Sequence, residues 1–336
     1  MIRSFPPHPN PLPWGERVGH SSPQQSWGVF WNILVNAPSP PPSSLWGEGK
    51  GEGAAEEKMS FRRLFRNINF SIGFIITLVI LLTAFLSLFY TTYDPNRMNL
   101  SARFQTPDGI HWFGTDQYGR DIFSRVMTGS INSIIVGLVA VSIGMGFGIL
   151  LGSLAAFHRR WLDEGIMRFS DVLYGFPAVL SAILITSILG PGIINSMIAI
   201  GIFNIPIFAR LTRATSLSIW ERDYVTSAKA IGRSNVGIIW KHILPNILSS
   251  IVVQGTVQFA IAILAEAGLS YLGLGTQPPH ASWGRMLNEA QTFMGTSPWL
   301  AIFPGCAIAV AVLGFNLLGD GLRDILDPKL SRWIGR

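Results

Sequence analysis

Long apolar runs without Asp, Glu, Lys or Arg alternate with charged connections over most of the chain. The runs cover residues 68–93, 126–157, 172–209, 242–265 and 299–319. A helix that crosses a bilayer needs about 20 consecutive apolar residues, and each run reaches that length. The pattern predicts an all-α integral membrane protein.

The third run is too long for one spanning helix and carries a break in its middle. Gly190, Pro191 and Gly192 form a strong turn signal, so we expect two helices joined by a tight hairpin. With that hairpin the chain has six predicted transmembrane helices. An even number of spans places both ends of the spanning region on the same side of the membrane.

Positive charge indicates which side that is. Sixteen Lys and Arg residues lie on one set of connections and five on the other. Because loops rich in Lys and Arg stay in the cytoplasm, we expect a multi-pass inner-membrane protein with both termini cytoplasmic. Charged residues make up only 13% of the chain. Topology explains the net charge of +6, so we expect no nucleic-acid partner.

Residues 1–58 differ in composition from the rest of the chain. They are rich in Pro, Gly, Ser and Trp, and two similar pieces occur at 11–16 and 41–48. Such a segment buries too little apolar surface to offset the entropy of ordering, so we expect a disordered extension without a cleavable signal peptide. A genuine flexible tail and a misassigned start upstream of Met59 both fit this composition. The transmembrane domain is expected over 59–336.

The chain lacks the motifs of common hydrolytic and energy-coupling chemistries. None of its five lysines precedes Ser or Thr, so the phosphate-binding loop G-x-x-x-x-G-K-[ST] is absent. Its six histidines have no metal-ligand spacing, and its one cysteine, Cys306, excludes an intrachain disulfide. We expect no catalytic site, metal or cofactor on this chain. Any ATP hydrolysis would occur on another subunit.

Three glycines of the second run lie on one helical face, because Gly144, Gly148 and Gly152 are spaced four apart. Such a stripe allows another backbone to approach closely. We expect a packing seam, with a partner subunit as one candidate for its opposite side. Incidental enrichment of glycine in membrane helices is the alternative.

The connection between spans four and five, about residues 214–246, carries the most informative pattern. Tyr224, Ala228 and Ile231 lie at i, i+4 and i+7 and would share one face of a short amphipathic helix. That helix either floats on lipid headgroups or docks into a pocket of another protein. The residues alone leave both possibilities open.

The same connection contains signals for where its helices end. Gly232 can adopt the left-handed conformation that terminates a helix. Ser234 can cap a second helix over 235–244. Pro245 follows and would mark the entry into span five.

Two features on the predicted outer side place charge next to apolar runs. Asp116, Arg120, Asp121 and Arg125 alternate in sign before span two, and both local pairing and contact with a partner fit this pattern. Glu266 lies near the outer end of span five, where a carboxylate is costly and indicates a functional role. It either faces a water-filled path or holds a helix end by accepting hydrogen bonds.

The connection between spans four and five resembles the coupling loop of ABC-importer permease subunits. That motif has E-A-A, three residues, G, nine residues, and then a hydrophobic residue, any residue and L-P. Here residues 226–228 stand at E-A-A, Gly232 at the glycine and residues 244–245 at the end. Thr226 replaces the acidic residue. His242 stands where many families have an aliphatic residue, and peptide-type permeases often have His there.

Three further stretches are similar to signatures of the dipeptide, oligopeptide and nickel permeases, and they occur in the same order. They are residues 113–125 (FGTDQYGRDIFSR), 266–275 (EAGLSYLGLG) and 315–324 (FNLLGDGLRD). The resemblance covers almost all of residues 60–336 and points to the second, C-type permease of that group. It implies the six-helix fold of type I importer permeases.

The resemblance also implies a function and partners. The chain would be one membrane-spanning half of an ATP-driven importer of di- or oligopeptides, or of nickel or another small solute. A homologous second permease, two P-loop ATPase subunits, an extracytoplasmic binding protein and the lipid bilayer would be its partners. An ion-coupled secondary transporter, which often shows mid-span charges and an inverted repeat, and a membrane scaffold are the rival classes.

The candidate site residues fall into three groups. Those expected to couple to the ATPase subunit are Tyr224, Thr226, Ser227, Ala228, Ile231, Gly232, Leu244 and Pro245. Candidates for the translocation path or for a helix end are Asn204, Glu266 and Asn316. The external signature residues are Gly114, Thr115, Asp116, Gly119, Arg120 and Asp121.

Overall fold

In the computed structural model, the described residues are 65, 67–158 and 160–326, and most of them are helical. The predictions for residues 1–58 and for a start at Met59 lie outside this part of the chain. Within it, extended pairing is limited to one isolated antiparallel bridge between Thr115 and Asp121. The predicted all-α class is confirmed.

The helices follow one another with short connections, except between the first two. In chain order they are α1 (Ile68–Leu86), α2 (Ile122–His158), α3 (Trp161–Tyr174), α4 (Ala178–Leu189), α5 (Ile193–Trp220), α6 (Asp223–Ala230), α7 (Asn235–Tyr271), α8 (Trp283–Ala290) and α9 (Trp299–Leu326). By length and composition, α1, α2, α5, α7 and α9 can each cross a membrane. A sixth span exists if the bent pair α3 and α4 counts as one.

The third predicted span, which begins at residue 172, corresponds mainly to α4, the second member of that bent pair. Helix α4 has 12 residues and is therefore about 18 Å long, which is short of the roughly 30 Å hydrocarbon core. Helix α3 meets it at 87°. Pro177 explains the break, because it lacks an N–H group and disfavours helical conformation at Phe176. The predicted hairpin at residues 190–192 is confirmed, since α4 ends and α5 begins on either side of it.

The first predicted span, 68–93, extends too far, because α1 ends at Leu86. The Ser87 hydroxyl donates back to the last turn of α1 at 2.9 Å. Farther on, the N–H of Tyr93 donates to the hydroxyl of Ser124 at 3.0 Å. The chain therefore turns towards α2 although it remains free of charge.

The predicted second loop helix, 235–244, and span five form one continuous helix, α7. A π-helical turn at Ile239–Ile243 ends two residues before Pro245. Proline has no N–H for the carbonyl four residues earlier, and the wider turn accommodates it. Pro245 lies in the first turn of the α-helical part Leu244–Tyr271, as the predicted entry into span five requires, but the helix does not stop before it. The sixth span also continues past its predicted end, to Leu326.

The glycine stripe of α2 packs against α5. A Cβ atom at Gly144, Gly148 or Gly152 would collide with atoms of α5, and these atoms belong to residues Asn204, Ile205, Phe208, Ala209, Thr212 and Arg213. The predicted seam is confirmed, and its opposite side is a helix of the same chain. Helices α7 and α9 join the same core through the rings of Phe259 and Phe315, whose centroids are 4.3 Å apart.

Helix α8 is fixed to the N-terminal part of α2. The Trp283 side chain is buried, and its indole N–H donates to the carbonyl of Val126 at 3.0 Å. The Asn132 side chain donates to the carbonyl of Ala281 at 2.5 Å. These bonds place the external helix beside the residues that precede α2.

Candidate functional site

Helix α6, the predicted loop helix, rests on the membrane-spanning helices through two small apolar side chains. Val225 is fully buried and Ala228 is 5% exposed. Both belong to the apolar cluster that includes Trp220 at the end of α5 and Ile243 in α7. The ammonium group of Lys229 lies 4.3 Å above the Trp220 ring, which adds a cation–π contact. One side of α6 thus packs against the rest of the same chain.

The other side of α6 is open. Tyr224 is 41% exposed and Ile231 is 83% exposed, and Thr226 and Ser227 are also exposed. The prediction that Tyr224, Ala228 and Ile231 share one face is therefore wrong in part, because Ala228 packs inwards. Ile231 lies just after the last helical turn and points away from the scaffold.

Gly232 ends α6 as the sequence predicts. Its φ is +79°, in the left-handed region that costs a residue with a Cβ about 1–2 kcal/mol. The N–H of Gly232 donates to the Lys229 carbonyl at 2.9 Å, and that of Arg233 donates to the Ala228 carbonyl at 3.1 Å. This pair of bonds is a Schellman motif. The predicted cap on the next helix is also present, since the Ser234 hydroxyl accepts from the N–H of Gly237 at 3.2 Å.

The hydroxyls at the motif positions bond within α6. Ser227 donates to the carbonyl of Asp223 at 2.9 Å, and Thr226 donates to that of Arg222 at 3.5 Å. With these contacts, neither hydroxyl replaces the negative charge that the acidic residue of the motif would carry. The substitution at Thr226 leaves that position neutral.

The end of the motif lies in the first turns of α7. Leu244 is half-buried and Pro245 is exposed. The ring of His242 lies 6.1 Å from that of Tyr224. The Nε2 atom of His242 is buried, and no hydrogen-bond partner for it occurs among the described residues. The aromatic contact joins α6 to α7 across the turn at Gly232.

The alternating charges before α2 form a buried network. Arg120 Nε donates to Asp116 at 2.6 Å, and Arg120 and Arg125 both donate to Glu289 of α8, at 2.8 and 2.9 Å. Arg285 adds a bond to Glu289 at 3.3 Å. Local pairing agrees with these contacts. The sequence analysis did not identify Glu289 as a site residue, although it is the one acidic residue in 267–319.

Asp121 has a separate task at the start of α2. Its carboxylate accepts from the N–H and the hydroxyl of Ser124, at 2.8 and 2.7 Å, so it caps the helix. It also lies 2.9 Å from His111 Nδ1. Nearby, backbone N–H groups of His111 and Ile110 donate to Asp108 and lower the pKa of that carboxyl.

The remaining external signature residues shape the turn before α2. Gly114 and Gly119 have φ values of +76° and +72°. Thr115 is fully buried, and its hydroxyl donates to the Ala102 carbonyl at 2.5 Å. These contacts fold the segment onto the residues that follow α1, so the signature forms a compact external cap.

Glu266 is completely buried near the C-terminal end of α7. Its carboxylate accepts from the hydroxyls of Ser133 at 3.1 Å, Ser270 at 2.6 Å and Thr276 at 3.4 Å. These donors come from α2, from α7 itself and from the loop before α8. The arrangement ties three elements together, as the helix-end interpretation expects.

The two asparagines occupy other places. Asn204 is 5% exposed and lies against Gly144 in the α2–α5 seam. Its side-chain nitrogen is buried without a hydrogen-bond partner in the described ranges. Asn316 is half-buried in α9. In the part of the chain that the structure describes, no hydrogen bond joins either residue to Glu266.

The fold and these contacts agree with a family match. Residues 148–332 match the family described as "Binding-protein-dependent transport system inner membrane component". The chain belongs to this family, so it is a multi-pass inner-membrane permease of an ABC importer and not an enzyme. Such a permease works with an ATPase and a binding protein. Family membership sets aside the secondary-transporter and scaffold alternatives.

Two relatives have names that specify a solute. The chain is 48% identical over 233 residues to the dipeptide transport system permease protein DppC of Alkalihalophilus pseudofirmus, covering 69% of this chain and 77% of that protein. It is 46% identical over 239 residues to the glutathione transport system permease protein GsiD of Pectobacterium atrosepticum, covering 71% and 78%.

A solved structure with a similar fold is the MetNI methionine ABC transporter in an inward-facing conformation. The match has a TM-score of 0.53 at 16% identity and covers 61% of this chain and 98% of the other. At this identity it shows the fold alone. The predicted type I importer architecture is confirmed.

Proposed function

We propose that this chain is one membrane-spanning half of an ATP-driven importer of di- or oligopeptides. The names of the relatives support a peptide substrate, because both solutes, a dipeptide and glutathione, are short peptides. The complete importer would contain a homologous second permease, two P-loop ATPase subunits and an extracytoplasmic binding protein. The absence of a G-K-[ST] element in this chain supports the placement of ATP on separate subunits.

Residues 223–232, called the coupling segment, are the part that we propose an ATPase subunit grips. The proposal rests on the division of this segment into a buried and an open side. Val225 and Ala228 attach it to the spanning helices. Tyr224 and Ile231 remain free to enter a cleft on a partner. A surface Ile that is 83% exposed next to a rigid turn suits a protein pocket.

The distribution of positive charge along the chain supports cytoplasmic termini. The positive-inside count of the sequence places the coupling segment in the cytoplasm with both ends of the chain. An ATPase subunit is cytoplasmic, so the two assignments agree. The external cap before α2 would then face the binding protein.

A substrate test uses the complete importer in proteoliposomes with ATP inside. A radiolabelled dipeptide, glutathione and Ni²⁺ are offered separately on the binding protein. We expect uptake of at least one of the two peptides and none of Ni²⁺. Uptake of Ni²⁺ without uptake of either peptide would contradict the peptide assignment.

A coupling test compares two glycines with matched geometry. Gly232 and Gly273 have φ values of +79° and +82°, and at neither would a Cβ meet another atom within 4 Å. Alanine therefore imposes the same backbone strain, about 1–2 kcal/mol, at both. We expect Gly232→Ala to lower uptake per ATP hydrolysed several-fold and Gly273→Ala to leave that ratio near the parent value. Equal ratios for both variants would refute the coupling role.

A further inference from the structure

Helix α3 is held against α5 by charge on one face. Arg213 forms a two-pronged ion pair with Asp163, with Nη2 to Oδ2 at 2.6 Å. Arg210 Nη2 donates to Asp171 at 2.7 Å, and its guanidinium lies 4.4 Å from the Tyr174 ring. The two aspartates are eight residues apart, so they lie along the same side of α3. Both ends of α3 are thus attached to a single stretch of α5.

Apolar packing accounts for only part of this attachment. The apolar side of α3 points away, with Trp161 91%, Phe169 56% and Val172 61% exposed. Ser170 is the buried side chain of this helix. Ile166, Met167 and Leu173 are half-buried, and the two arginines add ion pairs that link α3 specifically to α5.

Helix α5 is in turn rigidly connected to the coupling segment. Two residues separate them, and the N–H of Arg222 donates to the Ile219 carbonyl at 3.1 Å. Trp220 is buried in the same apolar cluster as Val225 and Ala228. A displacement of the coupling segment therefore reaches the end of α5 without a flexible linker.

We propose that Arg210 and Arg213 are positioning residues that make α3 and α5 move as one unit when ATP is used. The ion pairs would carry the motion of the coupling segment to α3, and the break at Pro177 would convert it into a change of angle between α3 and α4. This inference rests on the proposed function. It adds a second effect of moving the coupling segment, which is a change of angle within the bent helix pair α3 and α4.

The surroundings of the Arg213 pair provide a control. An open groove of about 700 Å³ lies beside it and is lined also by Arg160, Glu164 and Glu221. Glu164 pairs with Arg168 of the same helix at 3.6 Å, and both side chains are more than 70% exposed. That pair does not join α3 to another helix, so it serves as a matched control.

The first experiment reverses charges in the reconstituted complete importer. Asp163→Arg and Arg213→Asp are expected each to lower uptake per ATP hydrolysed about tenfold, and the double swap to recover at least half of the parent ratio. Glu164→Arg with Arg168→Glu should leave the ratio unchanged. Single variants that couple like the parent, or a swap that assembles fully and recovers nothing, would overturn the proposal.

The second experiment does not depend on transport or on the folding of a charge variant. Spin labels are placed at Arg168 and Ser218, which are exposed on α3 and α5, after Cys306→Ser removes the free cysteine. We expect the same narrow distance distribution in the parent importer with and without bound ATP. A distance that changes between these states shows that the two helices move separately and contradicts the proposal that they move as one unit. The Gly232 test can succeed or fail independently of this result.

Discussion

The charged side chain of Arg125 is almost completely buried. It is 1% exposed, and Glu289 accepts from its Nη2 at 2.9 Å. Arg120 shares the same carboxylate at 2.8 Å. A buried charge that keeps its partner is tolerated, but removal of the partner exposes the full cost of desolvation. Glu289 thus holds two guanidinium groups in place at once.

Glu289→Gln should therefore destabilise the protein by about 3–5 kcal/mol. The matched change, Glu164→Gln, breaks a pair whose side chains are 77% and 71% exposed and should cost less than about 1 kcal/mol. Thermal unfolding of the purified chain in detergent measures both. Similar midpoints for the two variants would show that the external network adds no stability.

Glu266 makes a different prediction, because its partners are hydroxyls. Glutamine keeps one acceptor oxygen, but its amide nitrogen replaces the other, so the Ser133 or Ser270 donor loses its acceptor. Glu266→Gln should cost about 1–3 kcal/mol of stability and leave the chain assembled with its partners. We also expect lower uptake. If uptake and the unfolding midpoint both equal those of the parent, the hydroxyl cluster has no role.

The sequence predicted the local contacts among these residues but not the contacts between distant ones. The alternation of Asp116, Arg120 and Arg125 is local, so their pairing could be predicted from spacing. Glu289 lies 169 positions from Arg120, and no local pattern links residues so far apart. Glu266 was recognisable because a carboxylate stood within an apolar run, but its donors come from three elements.

At the scale of helices, the close approach of α2 and α5 depends on missing side chains. At Gly148, an added Cβ would lie 2.9 Å from both Ala209 N and Ile205 O. These are backbone atoms, which cannot rotate away. The same helix has Gly146, where a Cβ would meet nothing within 4 Å.

Gly148→Ala should consequently force the helices apart and destabilise the chain by about 1–3 kcal/mol. Gly146→Ala should be neutral or slightly stabilising, by up to about 1 kcal/mol, because alanine favours helix. Unfolding midpoints distinguish them. A loss of stability at Gly146 as large as at Gly148 would show that helix propensity, not the seam, controls the result.

Two prolines show why helix boundaries were harder to predict than helices. Pro177 breaks the bent span, whereas Pro245 is absorbed by the π-helical turn at Ile239–Ile243. Both disfavour a regular helix at the preceding turn. The surrounding packing decides between a break and a wider turn, and the sequence pattern does not contain that information.

For the molecule as a whole, the main consequence of the proposed topology is that exposed apolar residues lie on opposite sides of the membrane. Ile110 is 66% exposed in the external segment, and Ile231 is 83% exposed in the coupling segment. They can serve as reporters of orientation. The apolar runs predict which segments cross the bilayer, and the distribution of Lys and Arg predicts the orientation, because the bilayer constrains length and charge strongly.

In a Cys306→Ser background, Ile110→Cys should react with a membrane-impermeant maleimide added outside intact spheroplasts. Ile231→Cys should react only after the membrane is permeabilised. Labelling yields with and without permeabilisation give the answer. Reaction of Ile231→Cys in intact spheroplasts would invert the orientation of the chain and place the coupling segment outside the cell.

Helix α7 begins three residues after the coupling segment, at Asn235, and continues past Glu266 over 37 residues. At 1.5 Å per residue it is a rod of about 55 Å. Tilting such a helix by about 5° around its Asn235 end moves its other end by roughly 5 Å. A small rotation at the Asn235 end of α7 is thus amplified into a displacement about the size of a side chain at its other end.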